Sequence, residues 1–313
     1  MPARLLFLLL CLLPAAAHCD QGTSGDDFLS TRPSARASAL GGAFVALGDD
    51  LSALSYNPAA LEKLTGPSLD FLQFSQVADV SLEDIAYAQP LHFGTLGGGI
   101  VYQGQPSIDN AEATDAPIVA WNLAITAAYA FRLNQWGLPL PGFLQGADAG
   151  LAVKYVQSHL GEFDAYDGAV DLGVHVPLDE GVLLGVSLLN LGPPVTFITV
   201  ADPLPATTLI GLSRAFPPLW NNQVNLAADL DFPFQDITRF HFGMEDWINK
   251  SIALRLGYLV DSAQSLNGWT LGFGAQLVQE GLTFHLDYAL LPYYFQGFSS
   301  FEAQQQFELG LVF

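Results

Sequence analysis

Residues 269–290 read WTLGFGAQLVQEGLTFHLDYAL. Two alternating runs flank the turn residues Gln279–Gly281. In the first, Trp269, Leu271, Phe273, Ala275 and Leu277 fall on one face, against Thr270, Gly272, Gly274 and Gln276. In the second, Leu282, Phe284, Leu286, Tyr288 and Leu290 oppose Thr283, His285, Asp287 and Ala289. Successive strand side chains point to opposite faces, so a period of two predicts a pair of two-faced strands. In a soluble sandwich the apolar face would be buried. Here the polar face carries Gly and Ala rather than long solvating charges, as if space were limited on that side. Runs of roughly nine to twelve residues also suit a tilted strand crossing a bilayer. The reading therefore turns the apolar face to lipid and the polar face to a lumen. On this assignment Leu286 and Leu256 tolerate apolar exchange but not Arg, and Asp287 and Gly257 accept polar residues.

The same pattern extends outward in both directions. Val224, Leu226, Ala228, Leu230 and Phe232 oppose Asn225, Ala227, Asp229 and Asp231. At the C-terminus Phe307, Leu309, Leu311 and Phe313 oppose Gln306, Glu308, Gly310 and Val312. Segments bounded by turn residues centre on 68–77, 80–90, 94–103, 118–132, 146–159, 166–176, 181–191, 206–216, 223–232, 238–247, 251–260, 268–278, 281–290 and 303–313. This predicts an all-β, transmembrane, antiparallel up-and-down barrel of about fourteen strands, an even number that returns both ends to one side. Tight connections such as Leu178–Gly181 alternate with longer ones, Gln105–Pro117, Gly192–Pro205 and Pro292–Ala303, as short inner turns alternate with outer loops. Asn134–Gly146 is the exception, being long on the short side. Trp136, Trp220, Trp247, Tyr293 and Tyr294 lie near strand ends and suit interfacial girdles. Phe313, a terminal aromatic on the apolar face, reads as a signal to outer-membrane barrel assembly machinery.

Composition agrees. Charged residues make up 13% of the chain, where a soluble domain has about 25%. No run after the N-terminus reaches the roughly 18 apolar residues of a spanning helix. Arg4, the apolar run Leu5–Leu13 and Pro14–Ala17 form a secretory leader, residues 1–17, with cleavage near Ala17 to Cys19. Acylation of Cys19 is the alternative, with His18 a poor preceding residue. The two cysteines, Cys11 and Cys19, lie in or beside the leader, so neither a disulfide framework nor a cysteine metal site is available. A net charge of −21 excludes nucleic acid as a partner.

Between leader and first strand lies Ser34–Leu61, SARASALGGAFVALGDDLSALSYNPAAL, which is not strand-like. Ala35–Ala39 permits a helix that Gly41 and Gly42 break. Asp49 or Asp50 caps a short turn from Leu51. Asn57 is a good N-cap, and Pro58 occupies the first helical position, where a missing N–H costs nothing. That helix runs to about Leu64, stopped by Gly66-Pro67. Residues 18–66 thus read as a segment of short helices and turns ahead of a barrel domain, 67–313.

ARASALGGAFVALGDD followed by SALSYNPAAL resembles the opening of PorV/PorQ-type proteins, within the wider FadL-like outer-membrane superfamily. Asn57, Pro58 and Ala59 match a hallmark of the FadL-like N-terminal hatch. GMEDWINKSIALRLGY, Gly243–Tyr258, resembles a late-barrel segment of the PorV-like branch. The resemblance implies a fourteen-stranded barrel plugged by the N-terminal segment, in the outer membrane of a diderm bacterium. The chain is shorter than long-chain fatty-acid transporters, so large external loops are not expected.

No catalytic motif is present. There is no Gly-x-Ser-x-Gly, and Gly94–Gly99 lacks the Lys-Ser/Thr of a phosphate loop, which favours close packing of strand and hatch. His175, His241 and His285 lack metal-ligand spacing, so no metal or cofactor is expected. Asp171, Asp229, Asp231, Arg239, His241, Glu245, Arg255, His285, Asp287 and Glu308 are candidate lumen charges that brace the hatch. Arg239 and Arg255 are the rare lumen cations, able to receive an anionic headgroup or to pair with nearby carboxylates. Three functions fit: passage of a hydrophobic, fatty-acid-like molecule, a secretion component receiving exported proteins, or a structural barrel.

Overall fold

The computed structural model describes residues 24–107, 117–137, 140–178, 181–196, 199–261, 267–293 and 302–313. The expected leader, 1–17, Cys19 and Tyr294 lie outside these. Among the described residues there are sixteen strands: β1 (Ser68–Ser75), β2 (Ser81–Leu91), β3 (Gly94–Gly104), β4 (Ala120–Arg132), β5 (Asp148–Leu160), β6 (Phe163–Pro177), β7 (Val182–Leu191), β8 (Val195–Thr196), β9 (Ala201–Asp202), β10 (Thr207–Ala215), β11 (Asn222–Pro233), β12 (Arg239–Ile248), β13 (Ile252–Asp261), β14 (Gly268–Gln279), β15 (Leu282–Tyr293) and β16 (Glu302–Val312). Fourteen of them form one closed antiparallel barrel, the fold expected, while β8 and β9 make a separate two-stranded ribbon. Closure joins β1 to β16 from Ser68↔Val312 to Ser75↔Gln305, so no strand edge is left unpaired in the barrel. Just past the strands, the Phe313 amide donates to Pro67 O at 3.0 Å.

The barrel is inside out relative to a soluble protein. Phe273 on the outer face is 46% exposed, whereas Glu245 in the lumen is 0% exposed. The facing assigned from the alternation holds on β11, β13, β14, β15 and β16. Among the described residues no helix is long and apolar enough to cross a membrane. Strand boundaries differ from the sequence reading by up to three residues. The largest differences are the end of β15, at Tyr293, and the start of β6, at Phe163, where Gly161, at φ 63°, turns tightly enough for Phe163 to pair with Leu160. Between β6 and β7 the register shifts, Val170 pairing with Leu191 and Leu172 with Leu188. Asn190 absorbs the extra length at φ 56°, its amide donating to Asp171 Oδ1 at 2.7 Å.

Two expectations fail here. Trp247 faces the lumen, with the Arg255 guanidinium 5.6 Å from its ring centre, so it is no girdle residue. Its position on β12, in phase with Glu245 and Gly243, dictates this. Gly257 faces the lumen but has no room for a polar side chain, because a Cβ there would overlap the backbone of Leu40 and Gly41.

Residues 24–66 thread the lumen from the end opposite the strand termini down to Ser68. Ser34 Oγ accepts from the Ala37 amide at 3.0 Å and caps the helix Ala35–Ala39. Gly41 and Gly42 end it with φ of 68° and 89°. Asp50 Oδ1 accepts from the Ser52 amide at 2.9 Å, ahead of the helix Ala53–Tyr56. Asn57 then caps Pro58–Lys63, which is a 3-10 helix. Helix Ala35–Ala39 packs on β13–β16, whereas Pro58–Lys63 packs on β3–β6. The segment thus bridges opposite walls and plugs the barrel.

Candidate functional site

The plug separates two cavities. At the end carrying the strand termini is a cavity of about 820 Å³, lined by residues that include Arg36, Asp50, Lys63, Asp70, Arg255 and His285. At the other end is one of about 490 Å³, whose lining includes Arg32, Tyr56, Phe74, His241, Leu259 and Leu291. Plug residues line both: Arg36 the first, Ser38, Gly41 and Gly42 the second. The helix Ala35–Ala39 and the turn after it are therefore the partition.

Polar wall side chains hold that partition. Asp229 Oδ2 accepts from the Phe44 and Val45 amides at 2.6 and 2.8 Å. Glu308 Oε2 accepts from the Ala35 amide at 2.8 Å. Thr270 Oγ1 donates to Ala39 O at 3.0 Å, and Ser187 Oγ to Tyr56 O at 2.7 Å. His241 Nδ1 lies 2.6 Å from Gly41 O, and His175 Nε2 lies 2.7 Å from Ala46 O. Each of these carbonyls and amides would otherwise be a buried, unpaired backbone group, costing about 1–3 kcal/mol.

The strongest tie is a guanidinium. Arg36, 7% exposed, grips Glu245 with Nε to Oε1 and Nη2 to Oε2, both at 2.8 Å. Its Nη1 reaches Asp49 at 2.5 Å and Asp50 at 2.9 Å. Arg255 continues the chain of alternating charge, with Nε to Glu245 at 2.9 Å and Nη1 to Asp287 at 2.5 Å. A bidentate fork fixes orientation as well as distance. At the other end Arg32 pairs with Asp231 at 2.5 Å, and Thr207 Oγ1 donates to the same carboxylate at 2.5 Å. Burial lowers Lys63 to about 8, with Asp49 and Asp148 offsetting part of the shift.

The sequence-derived residues fall as follows. Asn57 Oδ1 accepts from the Ala59 amide at 3.2 Å, while its Nδ2 donates to Val45 O and Val174 O, both at 3.1 Å. It therefore ties two parts of the plug to β6, and Pro58 and Ala59 lie against Gly150 and Gly173, where a Cβ would overlap them. Gly41 and Gly42 sit at the partition, and Asp49 and Asp50 flank Arg36. Arg255 belongs to the buried network, but Arg239 pairs with Asp236 near its own strand start. In Gly94–Gly99, Gly97 meets the plug at Leu61 and Leu54, and Thr95 Oγ1 donates to Glu62 Oε2 at 3.3 Å. Sequence reasoning passed over Arg36 and Arg32. The signal available was that Arg36 is the single cation of the small-residue stretch Ser34–Leu61, with Arg32 just ahead of it, beside strands rich in inward-facing carboxylates.

Residues 20–120 match the model of an uncharacterised protein family, UPF0164. No curated protein is significantly similar in sequence. Among solved structures, the Ralstonia pickettii toluene transporter TbuX superposes with a TM-score of 0.57 at 13% identity, over 88% of this chain and 96% of that one. The barrel has the fold of that channel. The Pseudomonas putida toluene transporter TodX gives 0.57 at 14% identity, over 89% and 96%. A Pseudomonas aeruginosa FadL homologue gives 0.53 at 9% identity, over 87% and 95%.

Proposed function

We propose that the protein is an outer-membrane channel that passes small hydrophobic molecules, with residues 24–66 as its gate. The observation that carries this is the pair of cavities meeting at one thin partition, the outer of them walled partly by Tyr56, Phe74, Leu259 and Leu291. The fold shared with hydrocarbon transporters supports it. In this reading residues 1–17 direct export and are removed, 67–313 form the barrel, and Phe313 engages the assembly machinery. The strand termini and short turns then face the periplasm. Arg255, whose Nη2 has no hydrogen-bond partner in the protein, is the candidate for an anionic headgroup. A gate held by many buried polar ties opens through a minor population, which a ligand favours by its differential affinity.

The test is twofold. Organic extracts of protein purified from native membranes should contain an apolar molecule at near-stoichiometric amount by mass spectrometry. Proteoliposomes should take up an apolar tracer faster than a polar one of equal size. Equal rates for both tracers would refute selective passage. A second reading, a PorV-like secretion component, rests on the resemblance at 34–61 and 243–258. Co-purification of exported proteins, with no apolar ligand and no tracer flux, would favour it.

A further inference from the structure

Three strands at the barrel seam place a His and two carboxylates together. The register sets His285 on β15, Gly310 on β16 and Asp70 on β1 side by side at one level. A Cβ on Gly310 would overlap His285 Nε2 and Asp70 Oδ1, so the missing side chain is what lets these two meet over β16. They approach to 3.2 Å. One level further from the strand termini, Glu308 on β16 projects into the same space, and one ligand atom from each of the three lies within 4.8 Å of the others.

The charges there do not balance within the protein. Asp70, Asp287 and Glu308 are each 5% exposed. Arg255 satisfies Asp287, and the Ala35 amide gives Glu308 one hydrogen bond. Asp70 Oδ2, fully buried, has no hydrogen-bond partner. Buried carboxylates are normally paired or bound to metal. Asp70 and His285 also line the cavity at the terminal end, which gives an entry path.

We propose that Asp70, His285 and Glu308 form a divalent-cation site of zinc type. One imidazole nitrogen with two carboxylates is a borderline donor set that suits Zn²⁺. Tetrahedral Zn–N and Zn–O bonds of about 2.0–2.2 Å put ligand atoms roughly 3.4 Å apart. The Asp70–His285 pair is already at that spacing, and Glu308 closes the remainder by side-chain rotation. The fourth position faces the cavity and takes water. A bound ion would staple the first strand to the last two and, through Glu308, the start of the plug helix. The site stands apart from the transport reading.

The experiment uses full-length mature protein, purified in detergent without a tag, stripped with chelator and dialysed. Zinc chloride is titrated by calorimetry, with metal content read by mass spectrometry. The expected result is one zinc per chain. Asp70→Asn or Glu308→Gln should weaken it at least tenfold, and Asp236→Asn, at a remote pair, should not. Because a seam variant can fail to assemble, Co²⁺ is also added to the wild type. Intense visible bands of four-coordinate cobalt are expected. Zinc binding no greater than in the Asp70→Asn/Glu308→Gln double variant, or only the weak spectrum of six-coordinate cobalt, would overturn the proposal.

Discussion

Replacing Arg36 by Ala should release the plug while leaving the barrel intact. Arg36 supplies four polar bonds, two of them the fork on Glu245 at 2.8 Å. Removing one partner of a buried ion pair costs about 3–5 kcal/mol, because the other charge stays buried. Glu245 keeps Arg255 Nε at 2.9 Å and Asn225 Nδ2 at 3.0 Å, which puts the loss at the low end, near 3 kcal/mol. Asp49, whose side chain is 52% exposed, rehydrates and adds little. At about 1.4 kcal/mol per tenfold, the ratio of displaced to seated plug rises roughly a hundredfold. Amide exchange reads this directly, since it reports local opening. In Arg36→Ala the Phe44 and Val45 amides, bonded to Asp229, should exchange about a hundredfold faster, with β15 amides unchanged as the internal reference. Arg36→Lys keeps the charge but loses the fork, and should fall between. Less than a threefold change in Arg36→Ala would show that the clamp does not hold the plug.

Other outcomes follow from the same structure. Asn57→Ala should insert and stay folded yet cost about 1–3 kcal/mol in plug seating, seen as faster proteolysis within 34–61, because it loses the cap, strands Val45 O and breaks the tie to β6. Leu286→Arg on the lipid face should cost about 2–4 kcal/mol and slow assembly, read as loss of the heat-modifiable band, whereas Leu286→Ile should assemble normally. Lys63, lowered to about 8, should be about half neutral at pH 8, where an ordinary lysine is about 0.3% neutral. At pH 8 it should therefore react with a small amine reagent faster in the folded protein than in the denatured chain, read by mass spectrometry. The same shift makes the seated plug progressively less stable as pH falls from the ordinary lysine pKa to about 8, below which the penalty stays constant.

Much of the fold was legible because strand facing is a local property. A period of two in Leu282–Leu290 places Asp287 inward whatever the rest of the chain does. Ser34, Gly41, Asp50 and Asn57 also act on neighbours in sequence, so their turn and cap chemistry could be read off. The clamp could not. Arg36 and Glu245 are separated by 209 positions, and nothing in the residues around either one names its partner. Arg239, by contrast, meets a carboxylate three residues away, the kind of pairing that sequence exposes. Trp247 was misplaced for a related reason: an aromatic near a strand end suggests an interface, but its phase with Glu245 turns it inward. At Gly257 the alternation gave the side and not the space, since the plug backbone fills it.

The central claim is that the partition of residues 35–42 is the barrier between the two cavities. Tracer flux decides it: wild-type and Arg36→Ala proteins are placed in liposomes at equal density, and entry of a small apolar fluorophore is timed. The account predicts that Arg36→Ala speeds entry in step with its faster plug exchange. Faster exchange of Phe44 and Val45 with unchanged flux would contradict it, because the plug would then move without opening any path.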